Sequence, residues 1–194
     1  KITIMIETEQ TPNPDTLKFL PGKKVSEVGP IEFKKNDKSI KVSLANKILS
    51  LEGTIMVFFG EDFITVKKEK NLNWENLKHG VISEINDYYS KGNKVVVGKD
   101  LRLEKVLNQA SSDSESAESD DVVKKINEVL DTKIRPAVAK DGGDITFKSF
   151  NDGVVTVELK GSCSGCPSSI MTLKQGVQNL LCHYIPEVKS VEAK

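Results

Sequence analysis

The chain has 194 residues, 38% of them hydrophobic and 6% aromatic, and its 28 basic residues balance 28 acidic ones. That length allows one large domain or two small ones, and the even charge leaves no electrostatic footprint for nucleic acid or an anionic membrane. No apolar run is long enough to span a bilayer, and three cysteines, two of them close together, are not the framework of a disulfide-stapled secreted domain, so a reducing compartment is expected.

Ile2, Ile4 and Ile6 alternate with Thr3, Met5 and Glu7, which is strand periodicity. No basic or Arg-rich leader precedes them, and because residue 1 is Lys rather than Met, a trimmed leader is expected. In "TPNPDTLKFLPG", residues 11–22, Pro12 and Pro14 exclude a helix, and "NPD" and "PG" are turn chemistry. "SLANKILSLEG" places Leu44, Ile48 and Leu51 on one helical face, with Gly53 just past the end. "TIMVFFGEDFITVKK" reads as two strands around a tight turn at Gly60–Asp62. Residues 74–90 space Leu77, Val81, Ile85 and Tyr88 as a helix does. Residues 1–92 thus predict one small α+β domain, and residues 93–107 add an apolar and charged extension.

"NQASSDSESAESDD", residues 108–121, has no aliphatic side chain larger than Ala and no aromatic. It cannot bury enough apolar surface to offset the entropy of ordering, so a flexible acidic Ser-rich linker is expected within residues 93–121. Residues 122–194 then predict a second α+β domain. Val122, Ile126, Val129 and Ile134 mark an amphipathic helix stopping near Pro136. "KDGGD", residues 140–144, is a turn whose Asp141 and Asp144 are expected to serve the turn itself. "ITFKSF" and "VVTVELK" are strands joined at Asn151–Gly153, a hairpin signal. Ile170, Leu173, Val177, Leu180 and Tyr184 follow at helical spacing, Pro186 ends that helix, and "EVKSVEA" returns as an edge strand.

Between the last long strand and that helix lies "GSCSGCPSS", residues 161–169. Pro167 suits a first helical position, because its missing N–H would have no partner there. Cys166 is then expected at a helix N-terminus, where unpaired N–H groups and the helix dipole favour a thiolate or an anionic cluster and lower a thiol pKa. Gly161 and Gly165 permit tight turns, and the serines add no bulk, so an open site is expected. Two sulfurs are half of the usual four-ligand metal set. Two unliganded thiols in a turn would be the plainest reading, but free cysteines usually pack as small hydrophobes, and these sit among Gly and Ser. A thioredoxin-like dithiol also places C-x-x-C between strand and helix, but only 28 residues follow Cys166, too few to complete such a fold. A four-cysteine site completed across a two-fold axis would take zinc or an iron–sulfur cluster, and spacing alone does not separate the metals.

Cys182 sits on the same helix as Cys166, 16 residues on, or roughly 24 Å by helical rise, and is expected to be structural or incidental. His79 and His183 are expected at the surface. No Ser/His/Asp set, Walker loop, G-x-G-x-x-G or acid–base pair is present, which argues against an enzyme.

"DGGDITFKSF…GSCSGCPSSIMTLKQGVQNLLCHYIPEV" resembles the C-terminal domain of NifU, the Nfu-type iron–sulfur scaffold and carrier module. "ETEQTPNPDTLKFLPG" with "EGTIMVFFGEDFITVKK" resembles the domain found ahead of it in Nfu proteins. The resemblance implies a protein that accepts a cluster and passes it to apo-enzymes. It also implies a [4Fe–4S] cluster held by Cys163 and Cys166, bridging the protomers of a homodimer. Donors would be upstream cluster assembly proteins and recipients apo iron–sulfur enzymes, in a bacterial cytoplasm or a mitochondrial matrix.

Overall fold

The computed structural model describes residues 3–101 and 117–194. The chain divides into two compact units, Lys1–Ala110 and Ser111–Lys194. Both combine helices with a sheet, so the α+β class expected from the sequence holds. Most of the expected linker lies outside the described residues.

The first unit is a five-stranded antiparallel sheet in the order β1-β2-β5-β4-β3. Its strands are β1 (Glu7–Gln10), β2 (Thr16–Leu20), β3 (Ile31–Lys34), β4 (Thr54–Phe59) and β5 (Ile64–Lys68). Helices α1 (Ser43–Ser50) and α2 (Trp74–Ser90) bury Leu44, Ile48, Leu77, Val81 and Ile85 in one core with Phe19, Val57, Phe59, Ile64 and Val66. The Gly60–Asp62 turn forms as expected, closed by the Gly60 N–H donating to the Phe63 carbonyl at 2.9 Å.

Two local expectations are corrected, and one unassigned stretch finds its place. The first strand is Glu7–Gln10, because its ladder partner Leu17–Leu20 reaches only that far; Ile4 and Ile6, expected in the strand, instead pack against the core from an irregular segment, and Ile2 lies outside the described residues. Residues 16–20, between the two expected turns, form a fully paired strand. Tyr89, not Tyr88, is the deeply buried ring at the end of α2. The extension also has a place: Val96 and Val97 are buried in this core, and both donate N–H groups to the Val25 carbonyl at 2.9 Å.

The second unit opens with α3 (Ala117–Val129), which starts inside the segment expected to be linker. Asp120 and Asp121 sit near the positive end of the helix, where acidic residues are favoured. A π-helical turn, Leu130–Ile134, leads into α4 (Arg135–Lys140), so the helix does not stop at Pro136. Val122, Ile126, Leu130, Ile134 and Val138 are all buried at four-residue steps. In a pure α-helix such a stripe drifts by roughly 40° per step. The wider π turn takes up the drift and accommodates Pro136, which has no N–H to give.

Strands β6 (Gly143–Asn151) and β7 (Val154–Gly161) form an antiparallel hairpin, turned by Asp152 and Gly153 at φ +50° and +83°. Positive φ at both central residues is the geometry that Asp-Gly favours. Helix α5 (Pro167–Tyr184) crosses to β8 (Ser190–Ala193), which lies parallel to β7 at the sheet edge. Val177 and Leu181 of α5 are buried, whereas Tyr184 is exposed. Tyr184 does not join the apolar face that its spacing predicts, because at the last helical residue there is no further turn to cover it.

Candidate metal centre

Along β7, Val155, Val157 and Leu159 are buried in the core, and the strand ends at Gly161 with φ +69°. The chain then turns through Ser162–Gly165. The Ser162 N–H donates to the Gly142 carbonyl at 3.2 Å, and its hydroxyl donates to the Asp141 carbonyl. The Ser164 N–H and hydroxyl both donate to the Gly161 carbonyl, at 3.2 and 2.9 Å. Gly165, at φ +75°, delivers Cys166 in extended conformation to the N-cap of α5, with Pro167 in its first turn. The Cys166 carbonyl accepts from the Ile170 N–H at 2.9 Å. The serines are therefore turn-closing groups, and the loop is fastened to the "DGGD" turn before β6.

The two sulfurs differ. Cys166 is half-buried, with Sγ 3.4 Å from Ser168 Oγ. Cys163 is only 6% exposed and belongs to the second core. Burial pushes its thiol up to about 11, against a smaller opposing contribution from Ser162, and the carboxylates of Asp141 and Asp144 add to the rise. The expectation of an open site is thus corrected for Cys163, which is buried. It precedes the helix cap by three residues, and desolvation outweighs any help from the helix dipole. No disulfide joins the three cysteines.

Asp144 also departs from expectation. It is 4% exposed, and Arg135 grips it with a two-pronged fork, Nε to Oδ1 at 2.9 Å and Nη2 to Oδ2 at 3.1 Å. A third prong, Nη1, reaches Asp131 at 3.0 Å. Buried carboxylates need such pairing. The sequence signal for Arg135 is slight: only two of the 28 basic residues are arginines, and Arg is the side chain suited to bidentate carboxylate binding. Cys182 is half-buried far along α5, and His79 and His183 are exposed, as expected. Among the described residues, no group of three or more His, Cys, Asp or Glu side chains is placed to hold a metal ion.

Comparison with known proteins agrees with this layout. Residues 126–192 match the NifU-like domain, and residues 6–92 match the domain described as scaffold protein Nfu/NifU N terminal. The chain is 45% identical over 190 residues to the NFU1 iron-sulfur cluster scaffold homolog, mitochondrial, of Homo sapiens, covering 97% of this chain and 71% of that protein. It is 42% identical over 192 residues to NifU-like protein 4, mitochondrial, of Arabidopsis thaliana, covering 98% of this chain and 66% of that one. A solution structure of a NifU-like protein from Saccharomyces cerevisiae is 27% identical, covers 50% of this chain and 87% of that one, and superposes with a TM-score of 0.46. The two family matches and the curated relatives set the class, that of iron–sulfur cluster scaffold proteins. Within it, the chain belongs to the Nfu family.

Proposed function

We propose that this protein carries a [4Fe–4S] cluster as cargo, held by Cys163 and Cys166 of two copies of the chain, and passes it to apo-proteins. The observation that carries the reading is Cys166 at the N-cap of an 18-residue helix, three residues after Cys163. Thiolate-bound clusters are anions, and a helix start favours anions. One chain offers two sulfurs, so a second copy related by a two-fold axis completes the set. Ligation takes Cys163 out of its buried seat and releases its thiol proton to solvent. Transfer is the reverse exchange: each incoming thiol of the recipient loses a proton, and each departing sulfur regains one. A grip with half its ligands on each copy comes apart stepwise, which suits a carrier.

Cluster assembly proteins are the proposed donors and apo iron–sulfur enzymes the recipients. The relatives' names support a mitochondrial setting. The first unit supplies no comparable cysteine pair, and we assign it the docking of partners. Deleting residues 1–107 is expected to leave cluster binding intact and to slow delivery to a recipient.

Anaerobic reconstitution with iron and sulfide tests the ligand assignment. The expected result is one cluster per two chains, a doubled mass on loading, loss of binding in Cys163→Ser and Cys166→Ser, and none in Cys182→Ser. Tight zinc uptake without iron would favour a zinc-dependent dimerisation module. Insulin reduction without metal uptake would favour a dithiol oxidoreductase. A damaging Cys182→Ser would overturn the assignment.

A further inference from the structure

The first unit holds a surface cleft of about 420 Å³ whose walls include Ile4, Tyr89, Asn93 and three lysines, Lys23, Lys24 and Lys94. We propose that this cleft docks an acidic segment of a partner protein, its carboxylates paired with the three lysines and one apolar side chain seated against the half-buried Ile4. The inference rests on reading the first unit as the docking half, and it adds the place and the chemistry.

The floor is apolar and firmly held. Tyr89 is 4% exposed, and its hydroxyl donates to the Lys24 carbonyl at 3.1 Å. The Ile4 N–H donates to Asn86 Oδ1 at 2.8 Å. The far wall turns at Gly92, φ +86°, and is tied by the Asn93 amide donating to the Tyr88 carbonyl at 2.8 Å. Tyr88 in turn donates to the Val95 carbonyl at 3.0 Å. The cleft is therefore preformed, which lowers the ordering cost of binding.

The rim is cationic. Among the described residues no carboxylate lines the cleft. None forms an ion pair with Lys23 or Lys94, and Lys24 meets only the exposed Glu61, at 3.4 Å. The neighbouring Lys91, by contrast, is engaged by Asp87 at 2.7 Å. Lys23 stacks its ammonium 5.5 Å from the Tyr89 ring centroid, next to the apolar floor.

The pattern favours several separated carboxylates over one phosphate. The cleft lies at the C-terminal end of α2, where the helix presents its negative carbonyl end, and a concentrated dianion is disfavoured there. Lysines on independent stems suit charges spread along a peptide. Such contacts are weak and salt-sensitive, as a transient carrier–recipient encounter requires.

The test uses the full-length apo protein, ¹⁵N-labelled, titrated with the peptide acetyl-Asp-Glu-Phe-Glu-Asp-amide. Saturating shifts are expected at the amides of Lys23, Tyr89, Gly92 and Asn93, weakening several-fold between about 50 and about 200 mM salt. The double variant Lys23→Glu/Lys94→Glu is expected to bind about tenfold more weakly and to take up a cluster as the parent does. Absent shifts, equal shifts with inorganic phosphate or with a lysine-for-acid control peptide, or unchanged binding by the double variant would each overturn the proposal. If delivery still slows on deleting residues 1–107 while the peptide fails to bind, the cleft assignment falls and the docking role stands.

Discussion

A Cβ atom on Gly143 would stand 2.8 Å from Cys163 Sγ and 2.7 Å from the Lys160 carbonyl oxygen. The sulfur is seated on a strand position that carries no side chain, and the carbonyl behind it belongs to the ladder partner of β6 and cannot withdraw. Gly143→Ala is expected to push β6 from β7, destabilising the second unit by about 1–3 kcal/mol. Urea unfolding measures the loss, and faster alkylation of Cys163 by iodoacetamide locates it.

The Arg135–Asp144 fork holds the start of the same strand. Asp144→Asn keeps the shape and removes the charge, leaving Arg135 without its best acceptor. Arg135 is one-third exposed, so water recovers part of the loss, and a destabilisation of roughly 1–3 kcal/mol is expected. Arg135→Lys is expected to fall between the parent and Asp144→Asn, because a lysine supplies one contact where the fork supplies two. Parallel denaturant titrations of the three proteins give the order.

The buried thiol of Cys163 ties stability to alkaline pH. Its value rises from the ordinary 9.0 to about 11 on folding, so the native state holds the proton more tightly than the unfolded one. This contribution is fully present below about pH 9 and is lost as pH climbs through about 11. Apo protein is therefore expected to lose stability across that window by roughly 2 kcal/mol more than Cys163→Ala. The difference between the two unfolding curves isolates Cys163 from Tyr88 and Tyr89, which burial also raises.

Asp87 offers a test in the first unit. Hydrogen bonds from Lys91 and then Lys47 hold its carboxyl at about 2, below the usual 3.8. The contribution to stability is present above pH 3.8 and fades as pH falls through about 2. A carboxyl ¹³C titration is expected to show a midpoint near about 2, moving up toward 3.8 in Lys91→Ala and, to a smaller extent, in Lys47→Ala.

The legibility of the candidate site was uneven for a physical reason. Pro167, Gly165 and Cys166 announce a helix start because cap, proline and turn constraints act within three or four residues. Nothing within such a window reports that Cys163 is covered, because its neighbours Gly143 and Asp144 lie about 20 residues away in sequence. Arg135 and Asp144 are nine residues apart, and only the turn of α4 into β6 makes them a pair.

The fold divides along the same line. Local chemistry determined the Asp152–Gly153 hairpin, the extents of α2 and α5, the antiparallel β4–β5 pair and the half-complete cysteine pair, since dihedral preference and apolar period are properties of short segments. Tertiary packing decided that Thr16–Leu20 is a strand paired on both sides, that the helix runs through Pro136 by way of a π turn, and that one sulfur is buried while the other caps a helix. Those outcomes depend on which distant surfaces meet, and burial, the ladder partner and the electrostatic surroundings exist only once they have met.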